Sequence, residues 1–221
     1  MDSTSPSIRR RNLLWAGIAL GALPLTGCAG LLAQLSYIAG GAMVEPEYKG
    51  LEEQKVAVVC VSDSSSYGIG NEGELLSRGV AKLLQQNVKE IKVIEWSKVA
   101  DWIDRNWNEI DYREVGRGVK ADRVVAIDLK GFRIHEGSVL FKGRADLTVA
   151  VYDMTQDGRE VYRRDISEFS FPVNSHYHAT ETSENRFRRQ FLAVLSREVA
   201  KRFYPYEINE DFGGDPTFVG N

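Results

Sequence analysis

One stretch restricts the fold more than any other. From residue 55 to residue 61 the chain reads KVAVVCV, six apolar residues in a row after one lysine. A strand with one wet face alternates apolar and polar side chains. An unbroken run rich in β-branched residues is instead the pattern of a central strand covered on both faces, in a sheet with helices above and below it. The following residues fit that demand. Leu76, Val80, Leu83 and Leu84 recur at helical spacing through residues 73–87, with Asn71 placed to cap the helix. IKVIEW, residues 91–96, predicts a short second strand. Ser97 can cap a second helix that sets Val99, Ile103 and Trp107 on one face, and residues 111–118 add a helical turn or two.

The second half has a different rhythm. Residues 122–137, DRVVAIDLKGFRIHEG, predict a long strand bent near Gly131. In RADLTVAVYDM, Ala145, Leu147, Val149 and Val151 share one face at period two. TQDG then carries the Asp-Gly signal of a hairpin, and REVYRRDISEFSF returns antiparallel. Residues 184–204 give the clearest helix, with Phe187, Phe191, Leu195, Val199 and Phe203 as its apolar stripe. The order βαβα-βββ-α predicts an α/β (α+β) single domain over residues 51–204, a mixed sheet of about five strands with three helices. Residues 28–50, with Gly40-Gly41 and Pro46, read as a tether, and residues 205–221, rich in Pro and Gly, as a flexible tail.

The amino terminus is not domain-like. Arg9, Arg10 and Arg11 precede an apolar stretch over residues 13–25 that is short for a membrane span, the layout of an export signal. The stretch ends in LTGC, residues 25–28. A leucine, two small residues and a cysteine at this depth resemble the lipobox of bacterial lipoproteins. The resemblance implies a diacylglycerol on the Cys28 thiol, removal of residues 1–27 as signal peptide, and an acylated (palmitate-bearing) amine on Cys28. Two or three acyl chains, at ~0.8 kcal/mol per buried CH2, hold a protein on a membrane durably. Ala29 and Gly30, where an aspartate would favour inner-membrane retention, point to the outer membrane, facing the periplasm. Arg10-Arg11-Asn12-Leu13-Leu14 also resembles a twin-arginine signal, so the general and twin-arginine routes both stay open. With Cys28 acylated, Cys60 has no partner in the chain; inside an apolar strand it serves as a small hydrophobe. A net charge of −3 gives no general attraction to nucleic acid or to an anionic bilayer.

The domain carries a resemblance of its own. ADRVVAIDLKGF followed by LTVAVYDMTQDGREVYRRDI is similar in pattern to the periplasmic domain of curli-secretion channel lipoproteins, an architecture shared with the amino-terminal domain of TolB and the penicillin-binding-protein activator lipoproteins. Ala121-Asp122 before the strand and Asp157-Gly158 at the turn carry the likeness, which covers roughly residues 55–204. It implies a lipid-anchored adaptor or assembly component with an envelope protein partner, no enzymatic activity and no cofactor. In one respect the chain departs from that family. Residues 135–143, HEGSVLFKG, are a loop too short for the channel's membrane-inserting hairpins, since a spanning strand needs ~9–11 residues, so pore formation is rejected. A ligand-binding lipoprotein serving a transporter is the alternative; it would need an apolar pocket between helices and sheet.

Chemical motifs are sparse. YGIGNEG sets Gly68, Gly70 and Gly73 at the spacing of a dinucleotide loop, and Glu95 stands where a ribose-binding acid would. In such folds the first glycine follows the strand at once. Here SDSSS and Tyr67 intervene, which leaves a nucleotide-dependent oxidoreductase the least favoured reading. His176 and His178, near Glu181 and Glu184, read as a polar loop and not a metal site; His135 reads as an exposed residue beside a turn. Ser64, Ser65 and Ser66 beside Asp63 lack a turn that would frame a nucleophile, so no catalytic residue is assigned. RFRR at 186–189 reads as a solvated basic face. Trp102 and Trp107, five residues apart on a helix, point roughly 140° apart at about 100° per residue. Both can hardly face the core, so this pair predicts a partner-docking surface on the second helix.

The anchor is directly testable. Cys28→Ser is expected to abolish uptake of a palmitate analogue and to release the protein from the membrane fraction or leave it as the uncleaved precursor. Equal labelling of the two proteins would remove the lipoprotein reading.

Overall fold

The computed structural model describes residues 43–63, 70–106 and 110–207. In chain order the elements are β1 (Met43–Val44), β2 (Lys55–Ser62), α1 (Asn71–Asn87), β3 (Lys92–Val93), α2 (Trp96–Arg105), α3 (Tyr112–Gly118), β4 (Arg123–Glu136), β5 (Leu140–Asp153), β6 (Arg159–Phe171), β7 (Tyr177–His178), α4 (Glu184–Ala200) and β8 (Tyr206–Glu207). Cys28, Gly68 and Trp107 lie outside the described residues.

β2 pairs in parallel with β3 on one side and β4 on the other. β4, β5 and β6 continue the sheet antiparallel, in the order β3-β2-β4-β5-β6, with β7 joined to the Leu140 end of β5. The chain leaves β2 in one direction through α1 and passes back over it through α2 and α3. One crossover runs from β2 to β3 and the next from β3 back over β2 to β4; right-handed crossovers in opposite directions place their helices on opposite faces. Leu76, Val80 and Leu84 of α1 accordingly pack with Val56, Val58 and Cys60. Val99, Ile103 and Val115 of α2 and α3 pack with Ala57 and Val59. This is why KVAVVCV has no polar alternation.

α4 lies beside α1 on the first face. Phe187, Phe191, Leu195 and Val199 are fully buried there, and Ser183 caps the helix by accepting the Arg186 amide at 3.4 Å. The rings of Phe141, Phe171, Phe187 and Phe191 stack with centroid separations of 5.5 to 6.4 Å. Gly143 makes room for them: a Cβ there would stand 2.5 Å from Cγ of Phe191.

Register is set by a carboxylate. Asp122 Oδ2 accepts the Lys55 amide at 2.9 Å, while its backbone donates to Lys55 O and accepts from Met154 N. One residue thus ties the starts of β2 and β4 to the end of β5. Asp153, 1% exposed, closes the other hairpin end by accepting from Thr155, Gln156 and Arg123. Burial alone would raise its pKa; the Thr155 hydroxyl and the Arg123 guanidinium outweigh that and hold it below the usual carboxylate value.

Several boundaries differ from expectation. Residues 112–118 form a helix of their own, making four α-helices among the described residues, because Asp111 caps it by accepting Arg113 N at 2.8 Å. The main sheet has six strands, not five, because β7 adds to it. Gly70 and not Asn71 stands at the α1 N-cap, and Glu95 replaces Ser97 at that of α2; neither makes a side-chain cap bond. Residues 135–143 are the closed end of a ladder and not a loop: His135 pairs with Phe141 and Glu136 with Leu140, and Gly137 turns the chain at φ 72°. The fold also reaches past 51–204 at both ends. Met43 pairs with Glu207 and Val44 with Tyr206, and Tyr48 N donates to Arg202 O at 3.1 Å. Glu47 is held by Arg202 and, at 2.8 Å, by the Tyr162 hydroxyl. Residues 43–50 therefore belong to the domain and not to the tether, and residues 205–207 do not belong to the tail.

Two measurements check this packing. Val58→Ala and Val149→Ala, each trimming a buried side chain from the first face, should each cost ~1–3 kcal/mol in urea unfolding with an unchanged slope. Asp153 has a depressed folded pKa, so its contribution is present above the ordinary carboxylate value of ~3.9 and is lost as pH falls through the lower one. Asp153→Asn should flatten that part of the acid-stability curve.

Candidate functional site

The groups that the sequence marks as chemically promising are mostly consumed by the fold. At the carboxyl end of β2, Asp63 donates its amide to Leu129 O at 3.1 Å and accepts Gly131 N on Oδ2 at 2.9 Å. It therefore braces the bend in β4, where Gly131 has φ 59°. Ser64, Ser65, Ser66 and Tyr67 lie outside the described residues. At the start of α1, Gly73 is buried, Glu72 pairs with Arg188 at 2.7 Å and Glu74 with Arg78 at 3.0 Å. Two carboxylates thus occupy the first turn, where a nucleotide's pyrophosphate would need amides and positive potential. Glu95 is exposed at the N-cap of α2.

Cys60 is a core residue. Burial, with Asp128 adding to it, pushes its thiol pKa far above the usual range, so it is a thiol and not a thiolate at neutral pH. The neighbouring polar group is structural as well. Tyr112 donates its hydroxyl to Asp128 and lies 3.2 Å from Ile127 O, pinning α3 to β4. Its ring stacks on Tyr152 at 6.1 Å, and Arg113 stands over Tyr152 at 5.4 Å.

The histidines are peripheral. His176 and His178 are exposed, with ring centroids 5.8 Å apart, and Glu181 accepts the His178 amide. His135 sits 3.5 Å from Glu184. Among the described residues, no three His, Cys, Asp or Glu side chains gather closely enough to hold a metal ion. Arg188 of the RFRR face is partly buried between Glu72 and Glu184.

The tryptophans divide. Trp102 is half-buried and packs at the edge of the second core, its indole lying on Gly118: a Cβ there would stand 1.8 Å from Nε1. Much of its surface is therefore spent inside the domain. Trp96, which sequence reasoning passed over, is the first residue of α2 and lines a groove of about 440 Å3 between α1, β3 and α2. Ala81, Val93 and Ile94 form the apolar floor with it, and Arg78 and Lys82 stand at the rim. β3 is the edge of the sheet here, and Gln85 closes it. Its Oε1 accepts Val93 N at 3.2 Å and its Nε2 donates to Ile91 O at 3.3 Å. An added strand would find these backbone groups taken, so the groove offers side chains rather than a free edge. The signal available in the sequence was position: a tryptophan at the junction of an edge strand and a helix.

No protein-family model matches the sequence, and no curated protein matches it either. Among solved structures it is similar to lipoprotein GNA1162 from Neisseria meningitidis, at 12% identity and TM-score 0.41 over 65% of this chain and 96% of that one. It is similar to the PelC dodecamer subunit from Paraburkholderia phytofirmans at 12% identity and TM-score 0.41, over 73% and 94%. It is also similar to the LpoB C-terminal domain from Salmonella enterica at 12% identity and TM-score 0.35, over 63% and 94%. Likeness at this level concerns the chain path, and function has to be read from the residues of this chain.

The Trp102–Gly118 contact gives a paired test. Trp102→Ala should cost about 2 kcal/mol or more, and Gly118→Ala should destabilise by displacing the indole. In the double variant Gly118→Ala should cost far less than in the parent, since the ring it strikes is gone; additive losses would mean that the indole lies elsewhere.

Proposed function

We propose that this chain is a lipid-anchored envelope protein whose domain works as a non-enzymatic adaptor, held on the outer membrane by acyl chains on Cys28 and facing the periplasm. The observation that carries the docking role is the groove beside β3, where Trp96 lies over an apolar floor with Arg78 and Lys82 of α1 on one side and Glu95 on the other, on a sheet edge where Gln85 occupies outward backbone groups. Tryptophan over an apolar floor with a charged rim is the composition of an interface hot spot. The docking role expected of Trp102 and Trp107 also stays a proposal, for Trp102 through whatever part of its ring Gly118 leaves uncovered; Trp107 lies outside the described residues. The absence of a catalytic role is likewise a proposal. It is supported by the use of Cys60, Asp63 and Glu72 as core, brace and ion pair.

The carrier alternative gains less support. Between helices and sheet the space is filled by Phe187, Phe191, Leu76, Leu84 and Ile127, all fully buried.

Wild type and Trp96→Ala, each purified from its native membrane with the acyl chains in place, form the test. Because Trp96 also packs on the second core, the variant should lose some thermal stability but stay folded at the assay temperature, and co-purify its envelope partner at least tenfold less well, the loss expected of a ~1.4 kcal/mol contact. Equal recovery would move the interface away from this groove.

A further inference from the structure

On the face that carries α2 and α3, the sheet runs on past those helices. There β4, β5 and β6 enclose an open cleft of about 450 Å3. Its charges are arranged against the usual preference. Arg133 of β4 stands directly opposite Arg144 of β5, and Lys142 lies two residues from Arg144 on the same face of the strand. Opposed like charges across a ladder destabilise a sheet unless something neutralises them. The local carboxylates do so only in part. Glu136 pairs with Arg144 at 2.5 Å. Asp146 Oδ1 accepts Glu168 N at 2.6 Å and holds the irregular turn of β6, where Glu168 has φ 56°. The side chains of Arg133 and Lys142 have no ion-pair or hydrogen-bond partner among the described residues.

The cleft is therefore polarised. One end holds Arg133, Lys142 and Arg144; the other holds Asp146 and Glu168, with the Ser170 hydroxyl in the lining. Two guanidinium groups and an ammonium share this end of the cleft, Arg144 shared with Glu136, and such groups match the oxygens of a phosphate. At the other end Asp146, which faces Lys130 across the ladder, and Glu168 offer acceptors for hydroxyl or ammonium donors. The cleft is also larger than a single phosphate needs. We propose that it binds a phosphate ester whose remaining part is small and carries hydroxyl or ammonium groups. The phosphate lies between Arg133, Lys142 and Arg144, and the donor end lies toward Asp146 and Glu168. A phospholipid headgroup and a free soluble ester share this chemistry. The site is separate from the groove at β3, and its failure would leave the adaptor reading untouched.

The experiment is thermal unfolding of the full chain in neutral detergent at fixed ionic strength. It is titrated with phosphoethanolamine in one arm and with micelles bearing phosphatidylethanolamine in the other. A saturable rise in Tm in either arm is expected; the first arm alone identifies a soluble ester, the second alone a lipid headgroup. Arg133→Gln and Lys142→Gln should weaken the response at least tenfold, and Arg133→Lys, which keeps charge and loses the fork, by less. Without ligand, Arg133→Gln should unfold at or above the parent temperature, because it relieves an unfavourable pair. No rise in either arm, or variants that respond like the parent, would overturn the proposal.

Discussion

The structure depends on one buried strand. Val56, Ala57, Val59 and Cys60 are 0% exposed and Val58 3%, so β2 has no face in water. Its backbone amides and carbonyls then have to be paired within the protein; the parallel ladder to β4 runs along Val56 to Ser62, and the one to β3 adds Lys55 and Val56 on the other side. Both faces must also be covered, which requires crossovers in both directions. α1 follows from one of these demands, and α2 with α3 from the other. The antiparallel half and α4 extend a core that β2 has already fixed.

The same constraint explains where the polar chemistry went. Several of the sheet's acidic groups stand at strand ends, where they hold junctions. Asp122 locks β2, β4 and β5 together; Asp63 braces the β4 bend; Asp153 closes the turn into β6. Glu47 fastens residues 43–50 to Arg202 and Tyr162. What the junctions leave unused lies on the rims: a tryptophan groove at the β3 edge, and a polarised cleft where the sheet outruns its helices.

Much of this was legible in the sequence, for identifiable reasons. The unbroken run of β2 and the stripes of α1 and α4 come from burial, which writes a period into the chain. Ala145, Leu147, Val149 and Val151 showed their shared face in the same way, and all four are buried. The parts that could not be read depend on contacts between distant residues. The start of β5 carries Lys142 and Gly143, which look like loop; Gly143 is there because a phenylalanine ring from α4 lies on its backbone. Residues 43–50 have no period at all and are fixed by Glu47 and Tyr48 meeting residues more than a hundred positions away. Trp102 looked free because its covering surface is a glycine, which leaves no apolar mark, whereas Trp96 drew no attention at the end of a short strand. The opposed arginines of β4 and β5 emerge only once the register is known.

Hydrogen exchange of the full chain, resolved by segment, tests the primacy of β2 most directly. If the fold is organised around this strand, the slowest amides should be those of Val56 to Cys60 and their partners Arg123 to Ile127, exchanging only with global unfolding. The amides of α2, α3 and the outer half of β6 should open earlier. Slowest exchange in β6 or α3, with β2 opening ahead of them, would contradict this account.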